Sequence, residues 1–311
     1  KELKANDWEA LMSSPETVLI SNVTRLNDEI NLYNGHLYYA RIREYWDSSI
    51  FKDNVEALNK RISDHPDLDF YTYYVEREIE NDFETGERAD LSDYLYNNIN
   101  LPDENKGKFS IESFDAFDKY FYYTDHHWNY LGSYKAYRQL CQMLKIDDPI
   151  EPKAIWTVGT MSGSRADATR ETSYKEELTV FQFDFPKMSI YLNSKVISDY
   201  GQQEQYIDTA INKSIDISRI LTKYAKFYGE DKAEIHFVNS NGNGKSILIL
   251  GDSYDNALLK LLASNYSSIY SVDIRYYETE YGYPFDFDSY VDEHNIDSVL
   301  YIGRSDFWDA I

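Results

Sequence analysis

The stretch Ser246–Tyr277, SILILGDSYDNALLKLLASNYSSIYSVDIRYY, decides the fold. Ser246–Leu250 is a nearly continuous apolar run, the mark of a strand buried on both faces in a parallel sheet. Gly251–Asp252–Ser253 then turns the chain, Tyr254–Asn265 reads as a helix, and Ser268–Ile274 as the next strand. A helix over Phe287–Asn295 and a last strand over Ser298–Ile302 repeat the alternation. Upstream, Val55, Leu58 and Ile62 recur at helical spacing from Phe51 to Asp64, His65–Pro66 stops that helix, and Leu68–Val75 follows as a strand. Alternating helices and strands of this kind build an α/β sheet.

The remainder is less regular. Glu16–Val23 reads as a short strand, Asn34–Gly35 as a turn, Leu91–Asn97 as a short helix, Phe117–Thr124 as an extended segment and Tyr130–Leu144 as a helix. Residues 146–244 differ in texture. Gly and Ser cluster at Val158–Ser164, strands are expected at Glu177–Phe183, Ser189–Leu192 and Glu234–Val238, a helix over Ile207–Tyr228, and a loop at Ser240–Gly244. We read 1–311 as a single domain in which 146–244 is an insertion or lid.

The 311 residues are 42% hydrophobic, enough for a real core. Thirty-one basic residues face 54 acidic ones, a net charge of -23. Such a surface repels nucleic-acid phosphates and anionic headgroups, and favours a neutral or weakly charged ligand. The 30 Tyr are read either as core filling or as a carbohydrate-facing surface. The single cysteine, Cys141, allows neither an intrachain disulfide nor a thiolate metal cluster, and reads as a buried apolar residue. No run is long and apolar enough for a membrane span. The chain opens on Lys1 rather than Met, which is compatible with removal of an N-terminal signal or anchor.

Ser253 sits directly after a buried strand, where open α/β sheets bind ligands. It has two readings. As a helix cap it is ordinary. As a nucleophile it would share its site with the N–H groups of the following helix, which can stabilise an oxyanion, while Gly251 lets the backbone approach a substrate. A serine nucleophile needs a base. His65 and His126 look structural, His36 sits in a turn and His236 in a strand. Asp125 and His127 are two apart. In extended backbone they project on one face, so the carboxylate orients the imidazole while the other ring nitrogen meets the serine. Trp128 would wall that imidazole from water. A rival pair, Asp292 and His294, lies in a polar helix, where residues two apart do not face each other.

Two blocks carry a resemblance. YFYYTDHHWNYLGSYKAY (Tyr120–Tyr137) and GDSYDNALLKLLASNYSSIYSVDIRYY (Gly251–Tyr277) resemble the D-x-H-W and D-S-Y-x-N…D-x-R blocks of the bacterial DHHW family. That family is related to the alginate O-acetylation proteins within the SGNH hydrolase-like superfamily. The resemblance implies a three-layer α/β/α sandwich in which the Asp and His precede the Ser, a circular permutation of the ordinary order. It implies Ser253, His127 and Asp125 as a triad, and Asn256 and Arg275 match its blocks. Gly251, Tyr254, Asn256, Arg275 and Trp128 are further substrate-binding or oxyanion candidates, and Arg275 has a second reading as the partner of Asp273. No clear G-x-N-D block is found, so the second oxyanion donor is unassigned. The implied function is O-acetyl transfer to, or removal from, an extracellular or cell-surface polysaccharide. The acetyl donor would come from a membrane acyltransferase partner, and the location would be extracytoplasmic, with an anchor outside this chain. No metal or nucleotide cofactor is implied, because Ser240–Gly244 lacks the leading Gly of a phosphate loop. Other readings are a non-catalytic carbohydrate-binding or assembly protein that keeps the fold, and a small-ester hydrolase.

Overall fold

The strand Ser246–Gly251 is buried along its whole length because it is the inner strand of a sheet covered on both faces. In the computed structural model, which describes residues 1–4, 7–12, 19–40, 48–171, 173–212, 216 and 219–311, that sheet has eight strands. Their order is Lys106–Phe109, Asp69–Val75, Ser298–Gly303, Ser246–Gly251, Ser268–Val272, Glu234–Val238, Ser189–Leu192 and Lys195–Ile197. The first five run parallel, and the last three extend the sheet antiparallel.

Period-two alternation divides the parallel strands between two cores. Tyr73, Val75, Ile247, Ile249, Leu300 and Ile302 face the helices Tyr130–Met143 and Leu259–Ala263. Phe70, Tyr74, Leu248, Leu250, Val299 and Tyr301 face the helices Ser48–Asp64, Leu91–Asn98 and Phe287–His294. Each of these side chains contributes about 1.5–3 kcal/mol by leaving water. Helices on both faces give the expected three-layer α/β/α sandwich.

Span 146–244 contributes to two sheets. Ala154–Met161 and Glu176–Gln182 pair antiparallel, with Leu221–Thr222 alongside in parallel. Ser189–Leu192, Lys195–Ile197 and Glu234–Val238 belong to the main sheet. Cys141 is buried, and burial pushes its thiol up to about 12. No helix of the described residues is long and apolar enough to cross a membrane.

Several elements differ from the sequence reading. Phe117–Thr124 is not extended. A helix covers Phe114–Tyr120, capped by the Ser113 hydroxyl accepting from the Ala116 N–H. Phe114, Phe117 and Tyr120 bury one helical face, so aromatic strand propensity misled where spacing did not. The helix expected over Tyr254–Asn265 breaks into a 3-10 turn at Asp255–Ala257 and a short helix at Leu259–Ala263. The strand expected to reach Ile274 stops at Val272, because Asp273 caps a helix over Ile274–Tyr281. The helix expected over Ile207–Tyr228 is replaced by helices at Glu204–Ile211 and Tyr224–Tyr228 with the strand Leu221–Thr222 between them. Residues 213–215 and 217–218 of that reading, and 16–18 of the strand expected over Glu16–Val23, lie outside the described residues; residues 19–23 form no strand, and the first strand among the described residues is Thr24–Arg25. His36 opens a strand, fully buried and bonded through Nδ1 to Asp118, rather than sitting in the turn.

Candidate active site

The parallel strands deliver their carboxyl ends to one edge, and the site is built there. Gly251 hands the chain to Asp252 and Ser253, Val272 to Asp273, and Gly303 to Arg304. Asp252 ties two of these ends together. Its Oδ1 accepts from the Tyr254 N–H at 3.1 Å and its Oδ2 from the Arg304 N–H at 3.2 Å. A Cβ at Gly251 would stand 2.4 Å from Asp255 Oδ2, so this glycine makes room for a buried carboxyl rather than for a substrate. Burial pushes the Asp255 carboxyl well up, and the neighbouring Asp252, Asp231 and Asp273 add to it.

Asp125 and His127 arrive on the loop between the helices Phe114–Tyr120 and Tyr130–Met143. A bridge between Phe121 and Trp128 closes the loop, and the Tyr122 N–H donates to the His127 carbonyl at 3.1 Å. Asn129 fastens its far end, accepting from Leu131 and Gly132 N–H while its amide donates to the Lys119 and Phe121 carbonyls. Asp125 and His127 do not meet across extended backbone. Asp125 Oδ1 accepts from His127's own N–H at 3.1 Å, a local Asx-type turn, and contacts His127 Nδ1 at 2.6 Å. His127 Nε2 then lies 2.8 Å from Ser253 Oγ. Burial by itself raises the Asp125 carboxyl, but the facing His127 outweighs it and holds Asp125 well below the usual carboxylate range.

Both faces of the His127 imidazole are covered. Tyr224 stacks on it with ring centroids 3.8 Å apart and planes 1° from parallel, and His126 lies at 3.9 Å. The covering ring is therefore Tyr224, not Trp128. Trp128 is fully buried against Phe109 and Tyr254. His126 faces the site rather than away from it, with Nδ1 2.6 Å from Ser164 Oγ. Burial and the neighbouring His127 hold His126 well below its usual range, so it is neutral.

A cleft of about 450 Å³ opens over Ser253 and His127, lined also by Tyr224, Asp231, Arg275 and Arg304. Of the remaining expected residues, Tyr254 is buried beneath it, its hydroxyl donating to the His126 carbonyl at 2.5 Å. Asn256 and Arg275 line the cleft but are engaged. The Asn256 amide donates to Asp231 at 2.9 Å and its carbonyl accepts from Tyr200. Arg275 pairs with both Asp273 and Asp231. The turn after Ser253 offers fewer donors than a regular helix start. The Tyr254 N–H goes to Asp252 Oδ1 and the Asp255 N–H to the Asp252 carbonyl. Arg304 was missed by sequence reasoning. It follows Ser298–Gly303, the last strand in the chain, which pairs with the strand leading to Ser253, where the strand-end rule would have found it. His294 packs against Tyr270 and Tyr290 in its helix.

Solved structures share this fold. A DHHW family protein from Eubacterium siraeum matches with a TM-score of 0.65 at 18% identity, over 92% of this chain and 94% of its own. Bacillus cereus PatB1 matches at 0.62 and 17%, over 91% and 97%. PatB1 with a sulfonyl adduct matches at 0.65 and 16%, again over 91% and 97%. No curated protein matches the chain. A family model described as DHHW protein matches residues 76–272, which hold Asp125, His127 and Ser253. The chain belongs to the DHHW protein family.

Proposed function

We propose that this protein is a serine-dependent O-acetyltransferase or acetylesterase acting on an extracellular or cell-surface polysaccharide through an acyl-Ser253 intermediate. The observation that carries the reading is the unbroken relay from Asp125 through His127 to Ser253, 2.6 and 2.8 Å long, ending in an open cleft. His127 Nε2 takes the Ser253 proton as Oγ attacks the acetyl carbonyl carbon. Asp125 stabilises the resulting imidazolium. The proposed donors to the tetrahedral oxyanion are the Ser253 N–H and the guanidinium of Arg304, one of two arginines lining the cleft, whose Nε faces Asp306 at 3.2 Å and Asp252 at 3.7 Å. Collapse expels the donor's alkoxide, which takes the proton from His127 and leaves acetyl-Ser253. A sugar hydroxyl or water, deprotonated by His127, then attacks the ester carbonyl; the Oγ–acyl bond breaks, Ser253 Oγ takes the proton back from His127, and the acetyl group leaves on the acceptor. In this proposal span 146–244 acts as the lid, since its Tyr224 covers His127 and limits water. The polysaccharide acceptor, a membrane acyltransferase as acetyl source and an extracytoplasmic location complete the proposal.

The test is mass spectrometry of the protein incubated with p-nitrophenyl acetate. Acetyl on the peptide holding Ser253, absent in Ser253→Ala, is the expected result, and added oligosaccharide then accepts it. A sulfonyl fluoride should modify the same serine, as PatB1 carries a sulfonyl adduct. Acetyl release unchanged in both Ser253→Ala and His127→Ala would overturn the proposal. Glycan binding without any acyl-enzyme would leave a binding protein of the same fold.

A further inference from the structure

The segment Gly163–Arg165, which lies in neither sequence block that holds the triad, touches the loop 122–127 at Tyr122, Thr124, Asp125 and His126. The Gly163 N–H donates to Thr124 Oγ1 at 3.2 Å, and the Arg165 and Ala166 N–H groups to the Thr124 carbonyl at 2.9 and 3.1 Å. The Ser164 N–H donates to Asp125 Oδ2 at 3.0 Å. The Arg165 side chain is wholly buried. Its Nη1 donates to the carbonyls of Tyr122 and Asp125, and its Nε to Glu78 at 2.8 Å. Glu78 itself is buried and held below its usual range, because Arg165 outweighs the effect of burial, so the pair is ionised. A Cβ at Gly163 would stand 2.3 Å from Asp125 Cβ and 2.5 Å from Oδ2. Gly163 has φ -98°, a value any residue adopts, so what excludes a side chain there is Asp125 and not the backbone.

We infer that Gly163, Ser164 and Arg165 are positioning residues that set the orientation of the Asp125 carboxylate toward His127. The inference rests on the triad reading above. A carboxylate turning freely would share both oxygens among its donors. Committing Oδ2 to the Ser164 N–H leaves Oδ1 for His127, whose N–H and Nδ1 lie at 3.1 and 2.6 Å. The imidazole is thereby held with Nε2 toward Ser253. Arg165 supplies the rigid base for this, fastening the Asp125 carbonyl to Glu78 just beyond the strand Asp69–Val75.

The experiment compares Ser164→Pro, Ser164→Ala and Gly163→Ala. Ser164 is the first residue of its short helix and Gly163 is extended at ψ -169°, so proline fits there while removing the one N–H that Asp125 Oδ2 uses. Alanine keeps that N–H and removes only the hydroxyl bonded to His126. The expected result is a kcat for p-nitrophenyl acetate about tenfold or more lower in the proline than in the alanine variant, with KM within about twofold, as for loss of one hydrogen bond to a charged group. The low-field proton NMR signal of the His127 Nδ1–H should vanish in Ser164→Pro and Gly163→Ala and persist in Ser164→Ala. Equal kcat in the two Ser164 variants with the signal retained in all three overturns the inference. If Ser164→Pro does not fold, as judged by circular dichroism, Gly163→Ala decides by the same signal. Ser253→Ala separates the two claims. Acetyl release that survives it removes the acyl-serine proposal, and the positioning inference is then judged on the proton signal alone.

Discussion

Replacing Asp125 with asparagine changes one atom, and the structure sets how much that should cost. Asp125 accepts three hydrogen bonds: Oδ1 takes the His127 N–H and faces Nδ1, and Oδ2 takes the Ser164 N–H. An amide has a single acceptor oxygen. With that oxygen at the Oδ1 position, the NH₂ confronts the Ser164 N–H, donor against donor, at a cost of about 1–3 kcal/mol in stability. With the amide flipped, the NH₂ confronts the His127 N–H and donates to Nδ1, which forces the proton onto Nε2 and prevents it from accepting from Ser253. The first orientation keeps the tautomer but loses the carboxylate charge. Charges roughly 4 Å apart at an effective dielectric near 20 attract by about 4 kcal/mol, which is about a thousandfold in rate. The second loses the base itself, about ten-thousandfold. Asp125→Asn should therefore acylate Ser253 between about 10³ and 10⁴ times more slowly than wild type, with the fold intact by circular dichroism. Single-turnover release of p-nitrophenol measures it. An acylation rate within tenfold of wild type would refute the reasoning, since neither orientation preserves both the tautomer and the charge.

Tyr224→Ala should lower kcat about tenfold and raise the ratio of hydrolysis to transfer, because the ring shields His127 and supports its protonated form, while Tyr224→Phe keeps most activity; product analysis with an oligosaccharide acceptor decides. Arg304→Gln should reduce kcat about a hundredfold with little change in KM if the guanidinium meets the oxyanion, and kcat within twofold of wild type would exclude that role. Burial and the nearby Glu76 push the Glu80 carboxyl up from 4.5 to about 8. The folded protein holds that proton between these values while the unfolded chain releases it, so this group's contribution to stability is lost as pH rises through the window, on the order of 5 kcal/mol at most. Glu80→Gln should flatten the decline, measured by urea unfolding between about pH 5 and pH 8, and an unchanged pH slope would count against it.

Much was legible in the chain. The run Ser246–Leu250 identified its strand because a parallel strand buried on both faces must be apolar throughout. His65–Pro66 marked a helix end because proline restricts the backbone before it, and Asn34–Gly35 a turn because both residues accept positive φ, 49° and 83° here. The spacing of Asp125 and His127 and their order before Ser253 pointed to the relay, although the sequence argument reached the pair through an extended backbone that is absent. Phe117–Thr124 was read as extended, where a helix in fact runs to Tyr120, because aromatic residues suit a strand face and a helix face alike.

What the sequence by itself determined was local: element type where periodicity was strong, and a serine, a histidine and an aspartate as candidates for one site. Three-dimensional packing decided which side chains surround them. Tyr224 replaced Trp128 over the imidazole, and His126 turned toward the cleft. Gly163–Arg165 came to rest on Asp125, 38 to 40 residues downstream in the chain. Arg304 came to line the cleft beside Ser253 through the pairing of Ser298–Gly303 with Ser246–Gly251. The physical reason is that hydrophobic periodicity is set by near neighbours in the chain. The contacts that orient a reacting group join segments far apart in sequence, and only the sheet order and the packing of its faces bring them together.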